Sequence, residues 1–120
     1  MATYTKVLLS SSSVGAPTTV IATASTGTTI HATGTSASVI DEVWLYATNT
    51  STSPVLLTIQ FGGTGAVQNA KPITLAPQSG DVLVVAGLPL TGTGAAATTI
   101  YAYAATTSVV TISGFVNRIS

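Results

Sequence analysis

The sequence predicts one all-β domain spanning residues 1–120, an antiparallel β-sandwich of jelly-roll type, and three observations support this prediction. Apolar and polar side chains alternate with a period of two along several stretches, as at Val55, Leu57, Ile59 and Phe61. Apolar residues do not recur at the three- and four-residue spacing of an amphipathic helix. Clusters of Gly, Pro, Ser and Thr separate the alternating stretches at the spacing typical of sandwiches and jelly rolls.

Nine stretches have the composition and length of short strands. They are residues 6–9, 18–24, 28–31, 40–49, 55–61, 71–75, 82–85, 98–104 and 109–117. Gly87 and Pro89 interrupt the apolar run that begins at Val82, so we expect a turn over residues 87–94. Leu57 and Ile59 share the apolar side of their strand and are predicted core residues.

Charge is scarce, because only 5% of the residues are charged where about 25% is usual. Three scattered basic residues cannot form the basic face that nucleic-acid binding requires. No apolar run approaches the roughly 18 residues of a membrane-spanning helix. A surface rich in hydroxyl groups with a net charge of zero favours association, so we expect this protein to function inside an assembly.

Catalytic residues are not predicted, since the chain offers a single histidine, His31, for which we expect a loop or interface position. A hydrolase would require His31, a serine and an acidic residue to converge, and no acidic residue is placed by sequence to orient that ring. Asp41 and Glu42 are adjacent, so they point to opposite faces of a strand, and we expect one of them to cap the preceding loop. Asp81 fits a turn. No spacing of ligands predicts a metal ion or a cofactor.

The aromatic residues are the side chains most open to a functional interpretation. Trp44, Tyr46, Tyr101 and Tyr103 could fill the core, anchor a subunit interface or form a platform for a ligand. Arg118 follows the last predicted strand and could fork onto a partner's carboxylate or backbone carbonyls. These five residues are the candidate interface residues.

The segment Asp41-Glu42-Val43-Trp44-Leu45-Tyr46-Ala47-Thr48-Asn49 resembles small virion proteins of tailed bacteriophages, as do the opening at residues 5–10, residues 56–63 and the ending at residues 110–119. The resemblance implies a jelly-roll or sandwich protein of the decoration (cement) type. Such a protein would bind the major capsid protein on the outer surface of the head, stabilise the particle and form a homo-oligomer, with a trimer favoured. It implies no catalytic residues. The composition and residue spacing, and not the resemblance, predict no cofactor and neither a nucleic-acid nor a membrane partner. The alternative is a receptor- or glycan-binding module of a tail fibre or head fibre, in which the aromatics would line an exposed groove.

Overall fold

A computed structural model describes residues 2–63 and 67–120, and in this part of the chain nine strands form two antiparallel sheets. The strands are β1 (Tyr4–Leu8), β2 (Thr18–Val20), β3 (Thr28–Ala32), β4 (Ile40–Asn49), β5 (Val55–Phe61), β6 (Ala70–Leu75), β7 (Val82–Thr91), β8 (Thr99–Ala104) and β9 (Val110–Ile119). One short 3₁₀ helix, Val67–Asn69, precedes β6. The five-stranded sheet has the order β1-β9-β4-β7, with β2 also paired to β9, and the four-stranded sheet has the order β3-β8-β5-β6.

The strand pairing is nested in the manner of a jelly roll. When β1 and β2 are taken together as the first strand, they pair with β9, β3 pairs with β8, β4 with β7, and β5 with β6. The first half of the chain therefore runs antiparallel to the second half, and this long hairpin is folded into two facing sheets. The predicted fold class is confirmed.

The core lies between the two sheets and is built from the inward half of each alternating strand. Leu45, Leu57, Ile59, Ile100 and Ile112 all have no exposed surface. Burial alternates at every position of β4, as period-two patterning predicts. Each fully buried Leu or Ile contributes roughly 1.5–3 kcal/mol. The prediction that Leu57 and Ile59 are core residues is confirmed.

The predicted turn over residues 87–94 is wrong, because β7 continues through Gly87 and Pro89 to Thr91. Gly87 is the extra residue of a β-bulge, since Leu88 pairs with Val43 while Ala86 pairs with Trp44. Its φ of 72° is left-handed, a conformation that suits glycine. β7 lies at the edge of its sheet, where a proline without an N–H group is tolerated.

Strand boundaries elsewhere differ by a few residues from those predicted. The second strand ends at Val20 instead of residue 24, and the last strand extends to Ile119. Arg118 therefore lies within β9 and not after it. This placement directs its side chain inward, since it shares the phase of Ile112 and Val116, both of which are fully buried.

Candidate functional site

The outer surface of the five-stranded sheet carries a compact set of aromatic, apolar and charged side chains. We call the part of this surface where β1 pairs with β9 the aromatic face, and we define it by the outward residues of β1, β9 and β4 in that part. They are Tyr4, Lys6 and Leu8 on β1, Ile119, Asn117 and Phe115 on β9, and Ile40, Glu42 and Trp44 on β4. The three residues on β1 are exposed, with Tyr4 at 72% and Leu8 at 47%, and the other six are half-buried.

A stack of side chains crosses this face, with one contribution from each strand. The rings of Trp44 and Phe115 are stacked with planes 10° apart and centroids 6.1 Å apart. The Lys6 ammonium lies 4.7 Å from the Phe115 centroid, over the ring, at cation–π distance. On the other side Trp44 packs against Gly87, where a Cβ atom would lie 3.1 Å from Cζ2 of the indole. The glycine bulge in β7 thus makes room for the indole.

Hydrogen bonds hold the polar groups of the aromatic face in position. The Glu42 carboxylate accepts bonds from Nε1 of Trp44 at 2.8 Å and from Nδ2 of Asn117 at 3.2 Å. These bonds lower the pKa of the Glu42 carboxyl from its ordinary value of 4.5, so it is ionised at neutral pH. The aromatic face therefore presents one fixed negative charge at Glu42 and one positive charge at Lys6.

The outer surface of the four-stranded sheet is a second, chemically different surface, which we call the tyrosine face. Tyr101 and Tyr103 on β8 point outward beside Leu56 on β5, which is 46% exposed. Their cross-strand neighbours Gln60 and Thr58 are buried, and Gln60 donates a hydrogen bond to Ser25 at 3.2 Å. No charged side chain occupies an outward position on the described strands of this sheet.

The five sequence-predicted interface residues do not form a single site. Trp44 and Tyr46 lie on the outer side of the five-stranded sheet, and Tyr101 and Tyr103 lie on the opposite side of the molecule. All four aromatics are half-buried, outside the core between the sheets. Arg118 belongs to neither outer surface, because it points inward.

The Arg118 guanidinium forms a bidentate ion pair with a carboxylate of its own chain. Its Nε donates to Oδ1 of Asp41 at 2.7 Å and its Nη2 donates to Oδ2 at 2.9 Å. This bidentate contact raises the pKa of the guanidinium, which is charged at any pH at which the protein is folded. The partner carboxylate that the sequence predicts for Arg118 is thus supplied within the fold.

Asp41 and His31 form a buried polar pair that was not predicted. Nε2 of His31 lies 2.8 Å from Oδ2 of Asp41, and both residues are at most 1% exposed. A bulge in β3 explains this burial, since Thr29 pairs with Tyr101 and His31 with Ile100, which leaves Ile30 as the extra residue. The expectation of a loop or interface position for His31 is wrong. So is the expectation that Asp41 or Glu42 caps the preceding loop, because Asp41 bonds to His31 and Arg118 and Glu42 bonds to Trp44 and Asn117. Neither the bulge nor the contact between the sheets leaves a signal in the local sequence.

Ser10 completes the network, so a serine, a histidine and an acid do converge. Its Oγ lies 3.0 Å from Nδ1 of His31. The same Nδ1 accepts the backbone N–H of Ser10 at 3.1 Å, which assigns the ring proton to Nε2, the atom that donates to Asp41. The Oγ is also tied to the backbone of Ala32, from whose N–H it accepts a bond at 3.0 Å.

These contacts fit a structural link between the two sheets better than a catalytic triad. The base nitrogen already accepts a backbone N–H, and the hydroxyl is anchored by Ala32. The Asp41 charge is matched by Arg118 and is not free to stabilise an imidazolium. The network instead joins β3 of one sheet to β4 and β9 of the other.

The rest of the described chain offers few groups for catalysis or for binding a ligand. A groove of about 380 Å³ lies at the open side between the sheets, lined by Lys71 of β6 and residues 84–89 of β7, with no aromatic side chain. Within residues 2–63 and 67–120, no three His, Cys, Asp or Glu side chains are grouped to hold a metal ion. The same residues contain no helix of the length and apolar character needed to cross a membrane.

Comparison with known proteins does not assign this chain to a family. No protein-family model, no curated protein and no solved structure matches it significantly.

Proposed function

We propose that this protein is a non-catalytic adhesive module, a decoration (cement) protein that binds the major capsid protein on the outside of a tailed-phage head. The observation that carries the proposal is the pair of aromatic surfaces, one on each outer side of a single sandwich. A protein that attaches to a shell and also contacts further copies of itself needs two such surfaces. The resemblance of residues 41–49 and 110–119 to small virion proteins supports the same role.

The composition of the two faces suits protein–protein contact. Interfaces gain most of their affinity from a few aromatic or Arg anchors surrounded by contacts that exclude water. The tyrosine face offers Tyr101, Tyr103 and the exposed Leu56, with no charge to desolvate. We therefore assign the contact with the shell to the tyrosine face.

Glycan binding is the second candidate, and the half-buried Trp44 on the outer surface, beside the polar groups of Glu42 and Asn117, is the observation that favours it. A sugar ring stacks on a free aromatic face, and its hydroxyls need free polar groups nearby. Here Phe115 lies between Lys6 and Trp44, while Trp44 lies between Phe115 and Gly87. The rings and the indole N–H are therefore used within the chain, and the groove contains no aromatic residue. The adhesive role has the stronger support.

The experiment compares phage particles that lack the protein with particles to which it is added back. We expect the former to assemble but to release their genome at a lower temperature, and the purified protein to restore heat resistance. The variant Y101A/Y103A removes the anchors of the tyrosine face and should fail to restore it. Y46A, the same type of substitution on the other sheet, is the matched control and should restore it.

Two results would contradict this proposal. One is unchanged heat resistance in particles without the protein. The other is binding of the isolated protein to host-cell glycans in a manner that W44A abolishes, which would establish the glycan-binding alternative.

A further inference from the structure

We infer that the aromatic face is the contact surface for a second copy of this chain, with a twofold axis running along β9. This inference concerns the isolated protein and does not depend on the assignment to a virion. It rests on the strand register of the five-stranded sheet, which arranges the face as three rows of three side chains.

The rows follow from the pairing of β9 with the strands on either side of it. Ile119 pairs with Tyr4 on β1 and with Ile40 on β4. In the same way Asn117 lies between Lys6 and Glu42, and Phe115 lies between Leu8 and Trp44. β1 and β4 therefore flank β9 at equal distances, about 4.8 Å on each side.

A twofold axis along β9, lying between two copies packed face to face, exchanges β1 of one copy with β4 of the other. Each side chain of β1 then faces the side chain of the same row on β4 of the second copy, and each side chain of β9 faces its own equivalent. The resulting pairs are Tyr4 with Ile40, Lys6 with Glu42, Leu8 with Trp44, and Ile119, Asn117 and Phe115 each with itself. The strands of the two copies remain aligned, as is usual for packed sheets.

Every pair generated by this operation is chemically matched. Apolar side chains meet apolar or aromatic ones in the outer rows, and the amides of Asn117 can bond to each other on the axis. The single basic residue of the face, Lys6, meets the single acidic residue, Glu42, and the symmetry forms this pair twice. The chain has only three basic and three acidic residues, so opposite charges in one row at equal distances from β9 make the face self-complementary.

The size of the overlap reaches the lower limit for a stable contact. The axis superposes three strands of each copy, with β1 and β2 on one side of β9 and β4 on the other, and β4 and β9 each contain ten residues. With strands about 4.8 Å apart and a rise of about 3.4 Å per residue, this overlap measures roughly 500 Å². Two copies would bury roughly 1,000 Å², about the minimum expected of a biological interface. A twofold contact closes at two copies, so the trimer implied by the resemblance would have to use other surfaces.

Complementary charge reversal tests the inference by light scattering coupled to size-exclusion chromatography. The wild-type protein should have the mass of a dimer. K6E places a carboxylate opposite Glu42 at both symmetry-related positions, and E42K places an ammonium opposite Lys6 at both, so each variant alone should be monomeric. We expect a rise in Kd of roughly 100-fold for each, since facing like charges cost several kcal/mol. An equimolar mixture of the two variants should form a mixed dimer, because both contacts then join opposite charges.

Controls separate the interface from the fold and from net charge. K71E changes the net charge by the same amount as K6E, but on β6 of the other sheet, and should remain dimeric. L8D introduces a charge at an exposed position that Trp44 of the second copy would cover, and it should be monomeric even if E42K fails to fold. A monomeric or trimeric wild type, an unchanged mass for K6E and L8D, or a mixture that stays monomeric would overturn the inference. None of these outcomes bears on whether added protein restores heat resistance to particles.

Discussion

Asp41 is the residue on which the packing of the two sheets at one end of the molecule depends. Its carboxylate is fully buried and accepts hydrogen bonds from His31 on β3 and from Arg118 on β9. Burial by itself raises the pKa of this carboxyl, but the hydrogen bonds from Arg118 and His31 and the positive charge of Arg118 outweigh it. The pKa therefore lies below its ordinary value of 3.8.

We expect D41N to lower the free energy of unfolding at pH 7 by roughly 2–4 kcal/mol. A fully buried ion pair loses about 3–5 kcal/mol when one partner is removed. We expect a smaller loss for D41N because the Arg118 side chain is 35% exposed and can be partly solvated. Urea denaturation of the variant and the wild type at pH 7 measures the difference. D81N is the matched control, since Asp81 is exposed and accepts a hydrogen bond from Thr48, and a loss as large as that of D41N would contradict the role of the buried network.

The lowered pKa also predicts how this stabilisation depends on pH. Above its ordinary pKa Asp41 is ionised in both the folded and the unfolded chain, and the contribution is fully present. As pH falls from about 4 through the lower pKa of the folded state, the unfolded chain binds the proton first and the contribution is lost. The stability difference between wild type and D41N should therefore shrink as pH falls below about 4, and an unchanged difference down to pH 2 would contradict this account.

Strand β5 shows most clearly how successive side chains of one strand alternate between the core and the surface. Leu57 faces the core with no exposed surface, while its neighbour Leu56 points outward and is 46% exposed. Both are leucines in the same strand, and they differ only in the sheet face to which the pleat assigns them.

We expect L57A to destabilise the protein by about 2–5 kcal/mol, because it removes a buried side chain and leaves a cavity. The matched substitution L56A should change the free energy of unfolding by less than about 0.5 kcal/mol, since it lies on the surface. Denaturant midpoints of the two variants provide the comparison. Equal effects of the two substitutions would show that the sides of β5 have been assigned incorrectly.

At the scale of the whole molecule, the two outer faces differ in charge. The aromatic face carries Lys6 and Glu42, whereas the described strands of the tyrosine face carry no outward charge. Of the remaining charges, Asp41 and Arg118 pair internally, Lys71 lies at the groove, and Asp81 accepts a hydrogen bond from Thr48. The molecule thus has one outer face with two charged side chains and one whose described strands carry uncharged outward side chains.

Binding to the shell through the tyrosine face should consequently depend little on salt. Screening acts on exposed charges over about 8–10 Å, and no such charge lies at the centre of this face. We expect the amount of protein that sediments with particles to change less than twofold between 50 mM and 500 mM NaCl. A steep loss of binding at high salt would indicate that Lys71 or other charges, and not the tyrosines, make the contact.

The amino-acid sequence by itself determined the fold class, the nine strands and the inward side of β5, because period-two alternation records burial directly. The sequence also identified four aromatic residues as the side chains most open to a functional interpretation, namely Trp44, Tyr46, Tyr101 and Tyr103. Only the tertiary structure decided that these aromatics lie on two opposite faces, because strand order and register depend on contacts between distant segments. It alone revealed the network of His31, Asp41 and Arg118, since a one-residue bulge in β3 and an inter-sheet contact have no local sequence signal. The tertiary structure also decided that β7 continues through Gly87 and Pro89, because a β-bulge accommodates the glycine and the edge position tolerates the proline.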